Sequence, residues 1–134
     1  MRRLTVATNA VSAVLFAKSL TRVASFYREV FGARTLGRSD EHESLECEGF
    51  HLMVQKIPEA LAQSVEISTP PERRERTAVR LDFPVADIEL ARESARRLGG
   101  HVDEQPPPWA GGSTHFYLGY DPEGNVIGLM PAKT

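Results

Sequence analysis

Asp121-Pro122-Glu123-Gly124-Asn125 decides how this chain folds, and the apolar run 126–130 follows it directly. Proline presets φ, glycine accepts a positive φ, and Asp and Asn side chains can hydrogen-bond their own backbone. The stretch therefore predicts a hairpin turn that leads into a final strand. An earlier Glu48-Gly49, also followed by an apolar run, repeats this hairpin, with Gly49 lying 75 positions before Gly124.

Two helix patterns repeat in the same way. Apolar residues recur at three- and four-residue steps over 20–31, with Ser19 as candidate N-cap and Gly32 as C-terminal glycine. A second such pattern covers 88–98, with Asp87 as N-cap and Gly99-Gly100 as its end. Ser19 and Asp87 are 68 positions apart, as are Gly32 and Gly100, so both ends of the two helices match without a gap.

The repeat predicts one α+β domain over 1–134 built from two βαβββ modules, at about 11–57 and 78–131. Strands are predicted at 11–17 and 79–85, each before its helix. The connector 58–77 carries Pro58, Pro70 and Pro71 and one short helix at 59–63. The alternative that stays open is a single α+β domain of six to eight strands with accidental internal similarity.

Composition excludes several classes of function. Of the 134 residues, 41% are hydrophobic and 25% charged, and the net charge of −2 gives no electrostatic reason to expect nucleic acid or an anionic membrane as partner. The single cysteine, Cys47, excludes an intramolecular disulfide. Polar residues interrupt the weakly apolar N-terminus, so neither a signal peptide nor a membrane span is expected and the expected location is the cytoplasm.

The two modules, Phe26-Tyr27 with Phe31-Gly32 on the first helix, and the terminal Asp-Pro-Glu-Gly-Asn together resemble the vicinal oxygen chelate superfamily. This superfamily includes glyoxalases, extradiol dioxygenases, and bleomycin- and fosfomycin-resistance proteins. The resemblance covers about 11–130. It implies a curved, cup-like mixed sheet with helices on the outside, a homodimer, and a small molecule bound inside the cup.

The resemblance also implies where metal-dependent members carry ligands. One, a glutamate, stands four residues after the hairpin glycine, and the four positions here are Ser12, Met53, Arg80 and Gly128. None of these is a competent ligand for a divalent metal, and Arg80 adds a positive charge. No metal and no cofactor is therefore expected. A relocated metal using His51 and His115 stays open as an alternative.

Strand alternation places His51 and Gln55 on the face of Met53, and Asp82 on the face of Arg80. Arg80 has two interpretations: an internal bridge to Asp82, or a fork that binds an oxygen of a ligand. Trp109, in the Pro- and Gly-rich insert 106–112, is either a ligand contact or a residue that packs down its own loop.

His115 and Tyr117 share a strand face and are the candidate acid and base, although the sequence does not decide which face lines the cup. A surface or core-edge position is the alternative interpretation of His115. His42, His101 and Cys47 are interpreted as structural or solvated.

Two classes of function follow. The first is a metal-free protein that sequesters an aromatic or amphipathic small molecule, which needs a pocket but no reactive group. The alternative is a glyoxalase-like lyase, isomerase or dioxygenase with a non-standard active site, and the sequence leaves open whether any reaction is catalysed.

Overall fold

The computed structural model describes residues 11–112 and 115–132. In chain order the elements are β1 (Ser12–Ala17), α1 (Leu20–Phe31), β2 (Arg34–Arg38), β3 (His42–Cys47), β4 (Phe50–Lys56), α2 (Glu59–Ala62), β5 (Leu81–Val85), α3 (Ile88–Arg97), β6 (His101–Val102), β7 (Tyr117–Tyr120) and β8 (Val126–Pro131).

The strands form two four-stranded mixed sheets of the same topology, β1-β4-β3-β2 and β5-β8-β7-β6. In each sheet the first strand of the module pairs in parallel with the last, and the other pairs are antiparallel. This duplication confirms the predicted α+β fold of two βαβββ modules. No helix in the described part of the chain is long and apolar enough to cross a bilayer.

Helix α1 forms where the apolar periodicity predicts it, and its buried face lies between the two modules. Phe26 and Tyr27 are 0% and 1% exposed, and Phe31 stacks on Phe83 of β5 with ring centroids 4.2 Å apart. The helix ends at Gly32, whose φ of 68° is the left-handed conformation that glycine adopts without strain. One helix thereby joins the cores of both modules.

Helix α3 begins as predicted, because the Asp87 side chain accepts hydrogen bonds from the backbone N–H groups of Glu89 and Leu90. It ends one residue earlier than predicted, and the left-handed residue is Gly99 (φ 95°) rather than Gly100. Gly100 is required for another reason. A Cβ there would lie 2.4 Å from a ring carbon of Phe26 and 2.5 Å from the carbonyl oxygen of Tyr120.

The two repeated hairpins differ in length. Cys47 pairs with Phe50 across a two-residue turn in which Glu48 and Gly49 both have positive φ, at 51° and 81°. This is the combination that a type I′ turn requires. The second hairpin has five residues between Tyr120 and Val126, so its turn has side chains available for bonds to the rest of the fold.

The longer turn, 121–125, is buried and binds distant parts of the chain. Asp121 is 0% exposed and accepts hydrogen bonds from the hydroxyl of Tyr27 (2.8 Å), the side-chain amide of Asn125 and the backbone N–H of Glu123. The Glu123 carboxylate accepts the backbone N–H groups of Lys18 (2.9 Å) and Ser19 (2.7 Å). The last hairpin therefore caps the first helix, whose predicted cap residue Ser19 makes no side-chain capping bond.

Candidate functional site

Each sheet has one face packed on the helices and one face turned away from them, which we call the open face. In β1 the exposed residues alternate with residues that pack on the core, and the open face carries Ser12, Val14 and Phe16. The same alternation in β5 places Asp82 and Pro84 on the open face of the second sheet, with Phe83 and Val85 buried. The open faces are exposed although they carry large apolar side chains, including Phe16 at 59%.

The open face of the first sheet brings together four of the residues proposed from the sequence. Ser12 pairs with His51 across the parallel β1–β4 ladder, and Val14 and Phe16 pair with Met53 and Gln55. On the next strand Glu46 lies opposite His51. The predicted common face of His51, Met53 and Gln55 is therefore present.

The open face of the second sheet is built around a notch at Gly128. Gly128 pairs with Asp82. A Cβ at Gly128 would lie 2.0 Å from Asp82 Oδ1 and 2.8 Å from Cε1 of Phe116. The absence of a side chain at Gly128 thus lets a carboxylate and an aromatic ring approach the same piece of backbone.

Arg80 closes over this notch. Its Nε donates to Asp82 Oδ1 at 2.6 Å and its Nη2 to Oδ2 at 3.0 Å, a bidentate ion pair with side chains 34% and 31% exposed. The hydrogen bond to Asp82 raises the pKa of the Arg80 guanidinium, which stays charged. Of the two interpretations of Arg80, the structure shows the internal bridge to Asp82.

Two aromatic rings complete the surroundings of this guanidinium. Its Cζ lies 4.8 Å from the ring centroid of Phe116 and 5.7 Å from that of Trp109, and the two rings are 5.4 Å apart. Trp109 lies on the short helical turn Pro108–Ala110 and remains 64% exposed. We call Asp82, Phe116 and Trp109 the Arg80 cage.

A divalent metal does not fit the positions that the resemblance implies. Ser12 and Met53 lie on the first sheet. Gly128 lies on the second sheet and Arg80 directly precedes strand β5 of that sheet, and there the Asp82–Arg80 pair fills the space over Gly128. Thiolate, imidazole and carboxylate groups are the usual protein ligands of such metals. Among residues 11–112 and 115–132, no group of three His, Cys, Asp or Glu residues is close enough to hold a metal.

Tyr117 does not reach the open face. It packs against the core, and the guanidinium of Arg92 from α3 lies 5.4 Å from its ring centroid. His115 is exposed and precedes β7. The sequence left the face of this strand undecided, and the structure places Phe116 rather than Tyr117 in the notch. A shared acid–base role for His115 and Tyr117 remains an untested prediction and has no geometry here that supports it.

His101 belongs to a polar cluster at the far edge of the second sheet that the sequence did not predict. Asp103 accepts Arg73 through both oxygens and lies 3.3 Å from His101 Nε2, and the rings of His101 and Tyr120 are stacked. These bonds tie the connector to β6. The Arg73–Asp103 pair has no sequence signal because its two residues lie 30 positions apart.

Two other residues interpreted as structural occupy ordinary positions. His42 Nδ1 lies 3.2 Å from the Ser39 hydroxyl at the β2–β3 turn. Burial raises the pKa of the Cys47 thiol, with the carboxylates of Glu48 and Glu46 adding to the effect, so this thiol is not activated as a nucleophile.

Two small cavities border the open faces. One of about 200 Å³ lies at the seam between the sheets, where Val14 of the first sheet and Val126 of the second both line it. A second, of about 250 Å³, lies between the β3–β4 hairpin and β5 and is lined by Cys47, Glu48 and Phe50 and by 81–84. Asp82 belongs both to this cavity and to the Arg80 cage.

Comparison with known proteins places the fold. A family model described as a glyoxalase-like domain matches residues 12–130. No curated protein gives a significant sequence match.

Solved structures with the same fold come from several bacteria. A glyoxalase/bleomycin resistance protein/dioxygenase family enzyme from Burkholderia phytofirmans is 21% identical, with a TM-score of 0.62 over 91% of this chain and 97% of that one. The fosfomycin resistance protein FosX from Listeria monocytogenes is 16% identical, with a TM-score of 0.64 over 93% and 90%. A possible glyoxalase from Bacillus cereus is 20% identical, with a TM-score of 0.57 over 90% and 96%. At these identities the likeness establishes the fold.

Proposed function

The chain belongs to the glyoxalase-like domain family, and we propose that, as a member without the usual metal ligands, it is a metal-free protein that binds an aromatic or amphipathic small molecule. The molecule lies on the open faces of the sheets, against Trp109 and Phe116. It is sequestered there without a chemical step.

The observation that supports this proposal most strongly is what surrounds Gly128. The resemblance implies a glutamate ligand at this position, and here the Asp82 carboxylate, the Arg80 guanidinium and the Phe116 ring converge on it. An exposed tryptophan beside them offers a flat apolar surface of the kind that binding sites use. These groups can bind and orient a ligand, whereas they form no set of metal ligands.

A homodimer completes the site in this proposal. Val14, Phe16, Trp109 and Met130 are 52%, 59%, 64% and 39% exposed, which is a large apolar surface to leave in water. β1 and β5 each pair with one strand only among the described residues, and an unpaired strand edge is a place where a second chain can pair. Sedimentation at micromolar concentration should give twice the chain mass of 14.8 kDa. A species that stays at the single-chain mass contradicts the dimer.

The enzymatic alternative has less support from the structure. Of the proposed acid and base, Tyr117 lies under Arg92 on the helix-facing side, so it cannot reach a molecule on the open face. Among the described residues, the other side chains of the open faces form no arrangement that points to a particular reaction.

Two measurements test the proposal. Elemental analysis of dialysed protein should show far less than one Mn, Fe, Ni or Zn per chain, and a retained stoichiometric metal would overturn it. Calorimetric titration with 2-naphthol, a neutral aromatic probe, should show binding that Trp109→Ala weakens by at least tenfold, as expected for loss of about 1.4 kcal/mol of aromatic contact. The matched control is Leu61→Ala on α2, which removes a similarly exposed apolar side chain (59%) and should leave binding unchanged.

A further inference from the structure

We propose that the Arg80 cage is a binding site for an organic cation, and that Arg80 occupies it as an internal substitute for that ligand. This inference rests on the proposed function and names the chemical class of the molecule bound: an ammonium, amidinium or guanidinium group attached to an apolar body.

The cage has the composition of a cation site. One carboxylate, Asp82, makes two charge-assisted bonds to the bound guanidinium, and two aromatic faces lie within 6 Å of its central carbon. Aromatic faces attract cations through the ring quadrupole, and a nearby carboxylate adds the countercharge. Any guanidinium, amidinium or ammonium group of similar size finds the same partners there.

Within the cage, the acid stands on a paired strand residue and the arginine does not. The Asp82 carboxylate is seated in the Gly128 notch, on a paired strand residue next to buried backbone. Arg80 precedes the first paired residue of β5, Leu81, and its long side chain is one-third exposed. The Arg80 side chain can therefore turn into water without breaking the ladder, whereas Asp82 keeps its ladder pairing with Gly128.

Exchange of one cation for another conserves charge in the cage, but entry of an anion does not. A ligand cation takes over the bonds to Asp82, and the guanidinium of Arg80 regains its hydration at the surface. An anionic ligand would instead have to share Arg80 with the Asp82 carboxylate, and two like charges in contact repel each other. The cage therefore favours a cation.

The adjoining cavity of about 250 Å³ points to the same class of ligand. Its polar lining consists mainly of two carboxylate residues, Glu48 and Asp82, and its apolar lining includes Phe50, Leu81 and Pro84. No lysine or arginine is among the described residues that line it. This volume suits a single ring or a short alkyl chain, and its carboxylates favour a positive charge on the molecule.

The test compares three probes of similar size that differ in charge: benzamidine (cation), benzoate (anion) and benzyl alcohol (neutral). Binding is followed by Trp109 emission and by calorimetry. Arg80→Met should tighten benzamidine binding about tenfold, because an internal competitor that fills the cage about nine-tenths of the time lowers the apparent affinity by that factor. Arg80→Gln, which keeps a hydrogen bond to Asp82 without the charge, should act in the same direction.

Controls separate the charge effect from a change in folding. Adding Asp82→Asn to Arg80→Met should abolish the gain for benzamidine and leave benzyl alcohol unaffected. Arg96→Met removes an arginine from an exposed ion pair with Glu93 on α3 and should change nothing. Thermal melts of every variant identify any that are unfolded. The double variant Arg80→Met/Asp82→Asn remains informative because it leaves no unpaired carboxylate.

The outcomes distinguish this inference from the proposed function. Two results would contradict the cation site: Arg80→Met leaves benzamidine binding unchanged or weakens it, or the wild type binds benzoate and Arg80→Met no longer does. In either case the proposal of a small-molecule site still holds. If none of the three probes binds the wild type or either Arg80 variant, the proposed function fails as well.

Discussion

Glu123→Gln should destabilise the fold strongly for so small a change in side chain, because the Glu123 carboxylate accepts hydrogen bonds from the backbone at the beginning of α1, about 100 positions earlier in the chain. Glu123 is 4% exposed, and its two oxygens accept the N–H groups of Lys18 and Ser19 at 2.9 and 2.7 Å. Hydrogen bonds to a charged group contribute about 1.5–3 kcal/mol each, and a negative charge at a helix N-terminus adds about 0.3–1 kcal/mol.

Glutamine keeps one acceptor and turns an NH₂ group toward the other N–H donor. One of the two bonds and the interaction with the helix terminus are then lost. We expect the free energy of unfolding to fall by about 2–4 kcal/mol, which is about 10 °C in Tm for a chain of this size. Urea unfolding followed by far-UV circular dichroism measures the change.

The internal repeat supplies the matched control. Glu48 precedes the corresponding hairpin glycine of the first module but is exposed, so Glu48→Gln should change the free energy of unfolding by less than about 0.5 kcal/mol. If Glu123→Gln costs no more than Glu48→Gln, the carboxylate does not cap α1 as described.

The two N-cap positions give a second comparison. Ser19 makes no side-chain capping bond, whereas the Asp87 carboxylate accepts two backbone N–H groups. Ser19→Ala should therefore be nearly neutral, and Asp87→Ala should cost about 1 kcal/mol. Equal losses at the two positions would mean that Ser19 caps its helix after all.

Three further predictions concern buried groups. Tyr27→Phe should lower the free energy of unfolding by about 1–2 kcal/mol, since it leaves Asp121 without one of its buried donors, and urea denaturation measures this loss. Burial acts to raise the pKa of Glu43, but hydrogen bonds from Thr35 and Arg28 outweigh it, so its pKa is lower in the folded protein than in the unfolded chain. The stability that this carboxylate contributes is therefore present at neutral pH and should be lost as the pH falls below about 4.5. The loss should be less steep in Thr35→Val. Gly128→Ala should displace Asp82 and Phe116, cost about 1–3 kcal/mol from overpacking and shift Trp109 emission; an unchanged spectrum would contradict the notch.

Local signals predicted most of the fold. The bounds of α1, the cap at Asp87 and the Glu48-Gly49 turn each depend on residues a few positions apart, and the structure has them where the sequence indicates. The end of α3 was wrong by one residue, because Gly99 adopts the left-handed conformation while Gly100 is needed for packing against Phe26. Adjacent glycines satisfy both demands, and periodicity alone cannot assign them.

The bonds of the last hairpin could not be predicted, because they join residues about 100 positions apart. Ser19 has the residue type of an N-cap, so the sequence assigned the capping role to its side chain, and only the fold shows that the Ser19 side chain caps nothing while the Glu123 carboxylate accepts the backbone N–H of Ser19. The face of Tyr117 was left undecided for a different reason. The strand Tyr117–Tyr120 has no charged residue on either face, so no polar alternation distinguishes its core face from its open face.

The sequence identified the residues of the site, but it could not show that they compete for the same space. From the sequence, Gly128 is only a position without a ligand, and Arg80 only a charge with two interpretations. The structure shows that the missing side chain at Gly128 and the ion pair of Arg80 are connected. Because Gly128 has no Cβ, Asp82 and Phe116 can occupy the space over it, and because Asp82 is there, Arg80 has a partner and lies against two rings. A glutamate at position 128 and the Asp82–Arg80 pair need the same volume, so the fold can hold a metal ligand or the Arg80 cage at this place but not both.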